Sequence, residues 1–304
     1  KLTTSAITVA AEQRVELSVS MGVALTPQRG ALLQDPVRCA ELALKRAKQP
    51  SEESVVVYSS DWVNEIHEQR AMEAALLVAF DERQLQAYYQ PLVLAENGQV
   101  IGIEALVRWQ HPDKGLISPY EFLPLIAQMG LMCRLGDYML EQSCSDMHRL
   151  KALGVTMQWV SVNLSSEQLY DSSLVGKIEN LLLKFDLPCS ALELEVVEEL
   201  ISQDSELVKI QLQGLDELGI RLAIDDFGTG YSSLSRLKHL PVSKLKIDKS
   251  FVDGLPNSEA DQCIARSIIG LAKGIQIEIV AEGVEHQEQA DWLRSHGVDY
   301  IQGY

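Results

Sequence analysis

A chain of 304 residues, 46% hydrophobic and 23% charged, has the composition of an ordinary globular protein, with material for one large domain or two average ones. Its net charge of −17, with 26 basic against 43 acidic residues, excludes general nucleic-acid binding, because no dense Lys/Arg cluster reverses the sign. No apolar run approaches the ~20 residues of a membrane span, and the five cysteines (Cys39, Cys133, Cys144, Cys189, Cys263) form no C-x-x-C pair, as expected of free thiols in a reducing, cytoplasmic compartment.

The same charge means that a phosphate-bearing ligand needs metal ions to approach. No signal peptide is visible. Asn163-Leu164-Ser165 matches a glycosylation sequon, but nothing else points to secretion. The chain starts at Lys1 rather than Met, so a fragment of a longer protein is expected, with any membrane anchor upstream and no membrane contact within this chain.

In chain order, residues 15–25 (V-E-L-S-V-S-M-G-V-A-L) alternate like a strand. Asp35-Pro36 opens a helix with proline in its first turn and basic residues near its end. V-V-V-Y (55–58) reads as a further strand, and residues 61–82 as a bridging helix. From residue 85 a rhythm begins. Strand-like runs occupy 87–94, 100–109, 158–164, 192–197, 220–225, 244–248, 277–282 and 298–302, with helical segments such as F-L-P-L-I-A-Q-M and C-I-A-R-S-I-I-G-L-A between most of them. Eight strands alternating with helices predict a closed α/β (β/α)₈ barrel. The first two strands are joined only by A-E-N-G-Q. Asn97-Gly98 is a tight-turn signal, and a parallel crossover needs a dozen residues or more, so the first strand is predicted to run antiparallel to the second.

Polar residues collect toward the C-terminal ends of these strands. They are Glu104, Asn163, Glu195, the adjacent Asp225 and Asp226, Lys246, Asp248, Glu282 and Gln302. That end of a (β/α)₈ barrel is where active sites form. One strand-end carboxylate is more often a helix cap or a surface charge, and Asn163 alone more often a turn residue. The joint pattern is what argues for a site. Adjacent aspartates repel unless a cation lies between them. Carboxylate and amide oxygens suit Mg²⁺ or Mn²⁺, and none of the six histidines falls among these ends, which argues against zinc. More carboxylates than one ion needs suggest two, the arrangement for in-line phosphoryl displacement. In that reading Lys246 stabilises an anionic oxygen or orients water, and Glu282 is a candidate general base. Asp226-Phe227-Gly228 also matches a kinase tripeptide, but no kinase glycine-rich or catalytic loop accompanies it.

E-A-L-V-R-W (104–109), V-N-L-S (162–165), D-D-F-G-T-G-Y-S-S-L (225–234), K-L-K-I-D-K-S-F (244–251), A-E-G-V-E (281–285) and Q-G-Y (302–304) resemble the EAL family of cyclic di-GMP phosphodiesterases, over roughly residues 68–304. The resemblance implies a two-metal barrel that linearises cyclic di-GMP to pGpG. It implies that Glu104, Asn163, Glu195, Asp225 and Asp226 hold two Mg²⁺ or Mn²⁺ ions, and that Lys246 and Glu282 contact and activate water. Arg108 would hold a phosphate, with Gln90, Leu106, Asp248, Glu285 and Gln302 around the substrate. Glu198 would brace the loop carrying Gly228 and Gly230, which the family uses at a homodimer interface through the barrel. Two positions depart from the family pattern: Val197 stands where threonine is usual, and Gln128 where glutamate is. The chain also ends before the family's usual short tail, which leaves barrel closure open.

Residues 1–60 resemble the C-terminal part of a GGDEF domain (S-M-G-V-A-L, E-L-A-L-K-R-A-K, V-V-V-Y), without its signature loop. The expected organisation is a partial GGDEF-like α/β piece over 1–60, a linker helix over 61–82 and an EAL barrel over 83–304. Two readings compete with hydrolysis. One is a catalytically weak receptor that binds cyclic di-GMP. The other is a different (β/α)₈ enzyme with a Schiff base on Lys246, which the surrounding acids disfavour by keeping the lysine protonated.

Overall fold

The computed structural model describes residues 6–9, 13–16, 19–25, 36–48, 54–59, 61–198, 205–228, 237 and 240–303, with backbone alone at 6–9, 13–16 and 61–66. The chain divides into two units, Lys1–Ala75 and Leu76–Tyr304.

In the first unit, β1 (Ala6–Val9) and β2 (Gln13–Glu16) form an antiparallel hairpin. β3 (Met21–Val23) pairs in parallel with β4 (Val55–Val57), and α1 (Pro36–Ala47) lies between them in sequence. α1 buries Ala43 and Ala47 with Val56 in a small apolar cluster. The alternating run over 15–25 is therefore two strands with different partners, not one. Alternation reports that one face is covered, not which strand covers it. α2 (Asp61–Asp81) follows, and Leu76, Ala79 and Phe80 on its last turns are buried.

The second unit is a barrel. Its strands are β5 (Leu85–Leu94), β6 (Val100–His111), β8 (Trp159–Asn163), β9 (Leu192–Val197), β10 (Arg221–Phe227), β11 (Lys244–Ile247), β12 (Glu278–Val284) and β13 (Tyr300–Gly303). They form one continuous ladder. β5 pairs with β6 and also with β13, which closes the sheet on itself. Both pairings of β5 are antiparallel, and the pairings from β6 to β8 and onward to β13 are parallel. The ladder closes before Tyr304, so closure does not depend on a longer tail. A short arm, β7 (Gly115–Ile117), folds back antiparallel on the end of β6.

Helices α3 (Pro119–Gln128), α4 (Met132–Ala152), α5 (Ser166–Leu169), α6 (Leu174–Lys184), α7 (Glu206–Glu217), α8 (Lys249–Val252), α9 (Glu259–Gly274) and α10 (Gln287–His296) intervene between the strands. Several begin at residues suited to a helix start. Pro119 occupies the first turn of α3, and Ser165, Ser205 and Ser258 accept backbone N–H groups at the starts of α5, α7 and α9.

The main apolar core lies between strands and helices. On β9, Leu192, Leu194 and Val196 are buried on one face while Glu193 and Glu195 are buried on the other. β9 keeps an apolar–polar alternation although both faces are covered, because Glu193 and Glu195 point into the barrel toward Lys244 and Lys246. Gly102 is required by close packing inside: a Cβ there would lie 2.6 Å from the Trp159 indole.

Candidate active site

Two backbone irregularities shape the rim. Between β10 and β11 the register passes from Ile224↔Leu245 to Phe227↔Ile247, so Asp225 and Asp226 together oppose Lys246. Between β12 and β13 it passes from Ala281↔Ile301 to Val284↔Gly303, so Glu282 and Gly283 together oppose Gln302. Both are β-bulges, which re-aim side chains where pairing ends. In each, the second residue is left-handed, with φ +52° at Asp226 and +66° at Gly283. The bulge answers the puzzle of the adjacent aspartates. A regular strand sends neighbours to opposite faces, whereas here Asp225, Asp226 and Glu282 each offer an oxygen within 4.8 Å of the others.

Lys246 is the hub. Its side chain is 1% exposed, and its Nζ lies 2.5 Å from Glu282 Oε1, 2.6 Å from Glu195 Oε2, 3.0 Å from Asp225 Oδ1 and 3.5 Å from Glu104 Oε2. Burial alone would pull the lysine down, but the four carboxylates together outweigh it and hold it well above the ordinary range, as an ammonium. One positive charge does not balance four acids. Burial, with repulsion from Glu104 and Asp225 behind it, raises Glu195 well above the usual carboxylate range. Burial, with repulsion from Asp225 and Glu104, pushes Glu282 up to about 8. Burial and the charges of Asp225 and Asp248 raise Asp226.

Amides aim the remaining acid. Asn163 Nδ2 donates to Glu104 Oε1 at 3.0 Å, and Gln302 Nε2 donates to Glu104 Oε2 at 2.5 Å. Gln302 also donates to Gln90 Oε1 at 3.0 Å, and Gln90 Nε2 donates to the Gly303 carbonyl at 3.4 Å. Glu104, Asn163, Glu195, Asp225, Asp226, Lys246, Glu282, Gln302 and Gln90 are thus brought together.

The other sequence-derived candidates sit around them. Glu198 Oε2 accepts the Gly228 N–H at 2.7 Å. Gly228 has φ +100°, and a Cβ there would lie 2.9 Å from Phe251. Gly230 lies outside the described residues. Leu106 is half-buried on β6, two residues beyond Glu104 and so on the same face. Arg108, near the end of β6, donates to its neighbour's carbonyl, Val107 O, at 2.8 Å. Asp248 lies just past the end of β11, where it caps α8 by accepting the Ser250 N–H at 3.1 Å. Glu285 pairs with Lys249 Nζ at 2.6 Å.

One polar layer escaped sequence reasoning. Glu193 and Lys244 form a buried ion pair one step down the barrel, at 2.6 Å. The signal was present as L-E-L-E and K-L-K, where period two puts Glu193 below Glu195 and Lys244 below Lys246.

The donor set fits a hard divalent cation. It offers only carboxylate and amide oxygens, carries more negative charge than Lys246 neutralises, and leaves Glu195 Oε1 buried without a hydrogen-bond partner among the described residues.

Comparison with known proteins agrees. The EAL domain family matches residues 73–304. A bifunctional diguanylate cyclase/cyclic di-GMP phosphodiesterase, MucR of Pseudomonas aeruginosa, is 39% identical over 95% of this chain and 42% of its own length. The cyclic di-GMP phosphodiesterase NbdA of the same organism is 36% identical over 95% of this chain and 37% of its own length. The chain thus spans about two fifths of the length of these curated relatives. The solved MucR phosphodiesterase in complex with c-di-GMP superposes with a TM-score of 0.73 at 41% identity, covering 77% of this chain and 94% of that one. Structure, site and sequence converge: the chain belongs to the EAL-domain family.

Proposed function

We propose that the barrel hydrolyses one phosphodiester bond of cyclic di-GMP to give linear pGpG. The observation that carries this is the four-carboxylate, one-ammonium hub at the C-terminal mouth of the barrel, on a chain whose relatives carry that activity in their names. Glu104, Asn163, Glu195, Asp225 and Asp226 would hold two Mg²⁺ or Mn²⁺ ions. Such ions supply charge neutralisation at the phosphoryl group and a water acidic enough to ionise near neutral pH.

The protein's own groups do the rest. Lys246 presents an ammonium toward negative charge that develops on phosphoryl oxygens, from a buried position where such a contact is strong. Glu282, next to Lys246 and Asp225, is placed to take the proton of the attacking water. Asn163 and Gln302 keep both oxygens of Glu104 in one orientation. Leu106, Arg108, Asp248, Glu285, Gln302 and Gln90 line the approach for the nucleotide. Glu198 holds the Gly228 peptide, and with it the backbone that follows Asp225 and Asp226. Glu198→Ala removes that acceptor and is expected to lower kcat about tenfold or more, the usual cost of losing an outer support of a metal site, in a steady-state assay.

Residues 1–60 are best read as the tail of a GGDEF domain. The alignment with MucR, named as bifunctional, extends over 95% of the chain and so reaches upstream of the barrel. Homodimerisation through the barrel and a cytoplasmic setting are expectations that accompany this reading.

Product analysis tests it directly. Incubation with cyclic di-GMP and Mn²⁺ is expected to give pGpG, and EDTA to stop it. Glu104→Ala should abolish turnover while the protein stays folded. Binding of cyclic di-GMP without turnover in excess Mn²⁺ would make the chain a receptor module, and undiminished pGpG from Glu104→Ala would refute the assignment of that residue.

A further inference from the structure

Beneath the hub lies a second ionic rung. Lys244 Nζ is 2.6 Å from Glu193 Oε2, and both side chains are fully buried. Ser161 Oγ donates to Glu193 Oε1 at 2.7 Å. The Lys244 ammonium also stands 4.1 Å from the Trp159 ring centroid and 4.8 Å from that of Tyr300. Removing two charges from water is so unfavourable that a well-packed apolar pair would serve stability as well or better. Stability alone is therefore a weak reason for this pair.

Its placement suggests another. Glu193 and Glu195 share one face of β9, and Lys244 and Lys246 share one face of β11. β9 and β11 are not ladder neighbours, because β10 lies between them. Ala223 of β10 is in register with Lys244 on one side and with Glu195 on the other. With only a methyl group at that point, lysines from β11 can reach glutamates on β9 across it. The upper rung, Lys246–Glu195, is weakened whenever Glu195 turns to a cation. Neither member of the lower rung is among the residues proposed to hold a cation.

We infer that Glu193 and Lys244 are a positioning pair. They keep β9 and β11 at a fixed separation, so that Glu195 and Lys246 stay within reach of each other and of Asp225 while Glu195 engages a divalent cation. This inference rests on the metal-dependent reading of the site.

The test uses the full chain and a triple variant, Ser161→Ala/Glu193→Leu/Lys244→Met, which replaces the pair by apolar groups and leaves no hydroxyl orphaned. Readouts are the melting temperature, Mn²⁺ affinity by calorimetry, and kcat and KM for cyclic di-GMP. The expected result is a melting temperature near wild type, Mn²⁺ binding and kcat each lowered about 10- to 100-fold, and an unchanged KM. A folded triple variant with wild-type Mn²⁺ affinity and kcat would reduce the pair to core packing. If the triple variant does not fold, Glu193→Gln carries the test, since it keeps volume and hydrogen bonding but removes the charge. A weakened Mn²⁺ affinity in it supports the inference, and an unchanged one overturns it. Wild type that binds Mn²⁺ without hydrolysing cyclic di-GMP would fail the functional reading alone, while the Mn²⁺ comparison would still decide the role of the pair. Wild type that does not bind Mn²⁺ would overturn both.

Discussion

Replacing Lys246 with methionine is expected to lower the melting temperature of the metal-free protein by roughly 10 °C and to cut turnover about 100- to 1,000-fold. Methionine keeps the unbranched stem, one atom shorter, and removes the charge. What remains is Glu104, Glu195, Asp225 and Glu282 facing the place where the ammonium stood, with Glu195 fully buried. Breaking a buried pair by deleting one partner costs about 3–5 kcal/mol. At about 2–4 °C per kcal/mol for a unit of this size, that cost predicts the shift in melting temperature. The kinetic loss follows from removing one preorganised charge from the point where anionic oxygen develops. Mn²⁺ provides the decisive arm. A cation that binds only the folded state stabilises it by about 2.7 kcal/mol at a hundredfold excess over its Kd. Without the competing ammonium, Mn²⁺ should raise the melting temperature of Lys246→Met more than that of wild type, yet not restore turnover. A variant that melts like wild type in EDTA would show that the acids do not depend on the lysine for compensation.

How much of this was legible in the sequence depends on the kind of information. Strand order was legible, because apolar runs separated by helices leave few topologies. The turn at Asn97-Gly98 was legible, because five residues cannot make a parallel crossover, and β5 does run antiparallel to β6. The participants in the site were legible through their positions at strand ends. Their geometry was not. Nothing in D-D-F-G announces a bulge, since a bulge is defined by the partner strand, and one residue of slip would send Asp226 to the far face. K-L-K-I-D ranks the two lysines along β11, with Lys246 nearer the rim, but does not show what each one meets, the acids of the mouth for one and a single glutamate below them for the other. That distinction appears only when β9 and β11 are seen across β10. The hairpin of β1 and β2 was missed although its pairing is local, because the intervening Ala10-Ala11-Glu12 carries no Gly, Asn, Asp or Pro turn signal.

The bulge itself can be tested through Asp226, where two substitutions that remove the same charge should differ sharply. Asp226 sits at φ +52°, in the left-handed region. Asparagine enters that region more readily than most residues, whereas a β-branched side chain there is a true outlier. Forcing it costs about 1–3 kcal/mol. Asp226→Val is therefore expected to melt several degrees below Asp226→Asn. Against wild type the sign for asparagine is the opposite. Burial and the charges of Asp225 and Asp248 raise the Asp226 carboxyl in the folded state. An acid raised by folding stabilises the protein when protonated, and that contribution is lost as pH rises through its folded-state value. At neutral pH without metal, the ionised Asp226 is then a liability, and Asp226→Asn should melt at or above wild type. The advantage should shrink as pH falls toward the acid range, where wild type regains its proton. Adding Mn²⁺ should reverse the order, because wild type keeps the carboxylate that the cation needs and the asparagine variant has only a neutral amide oxygen. Calorimetric melts at pH 5 and pH 7.5, with EDTA and with Mn²⁺, separate the two contributions. Equal melting temperatures for Asp226→Asn and Asp226→Val would mean that the left-handed turn is not what aims the two aspartates, and wild type more stable than Asp226→Asn in EDTA at neutral pH would mean that their repulsion is not what calls for a cation.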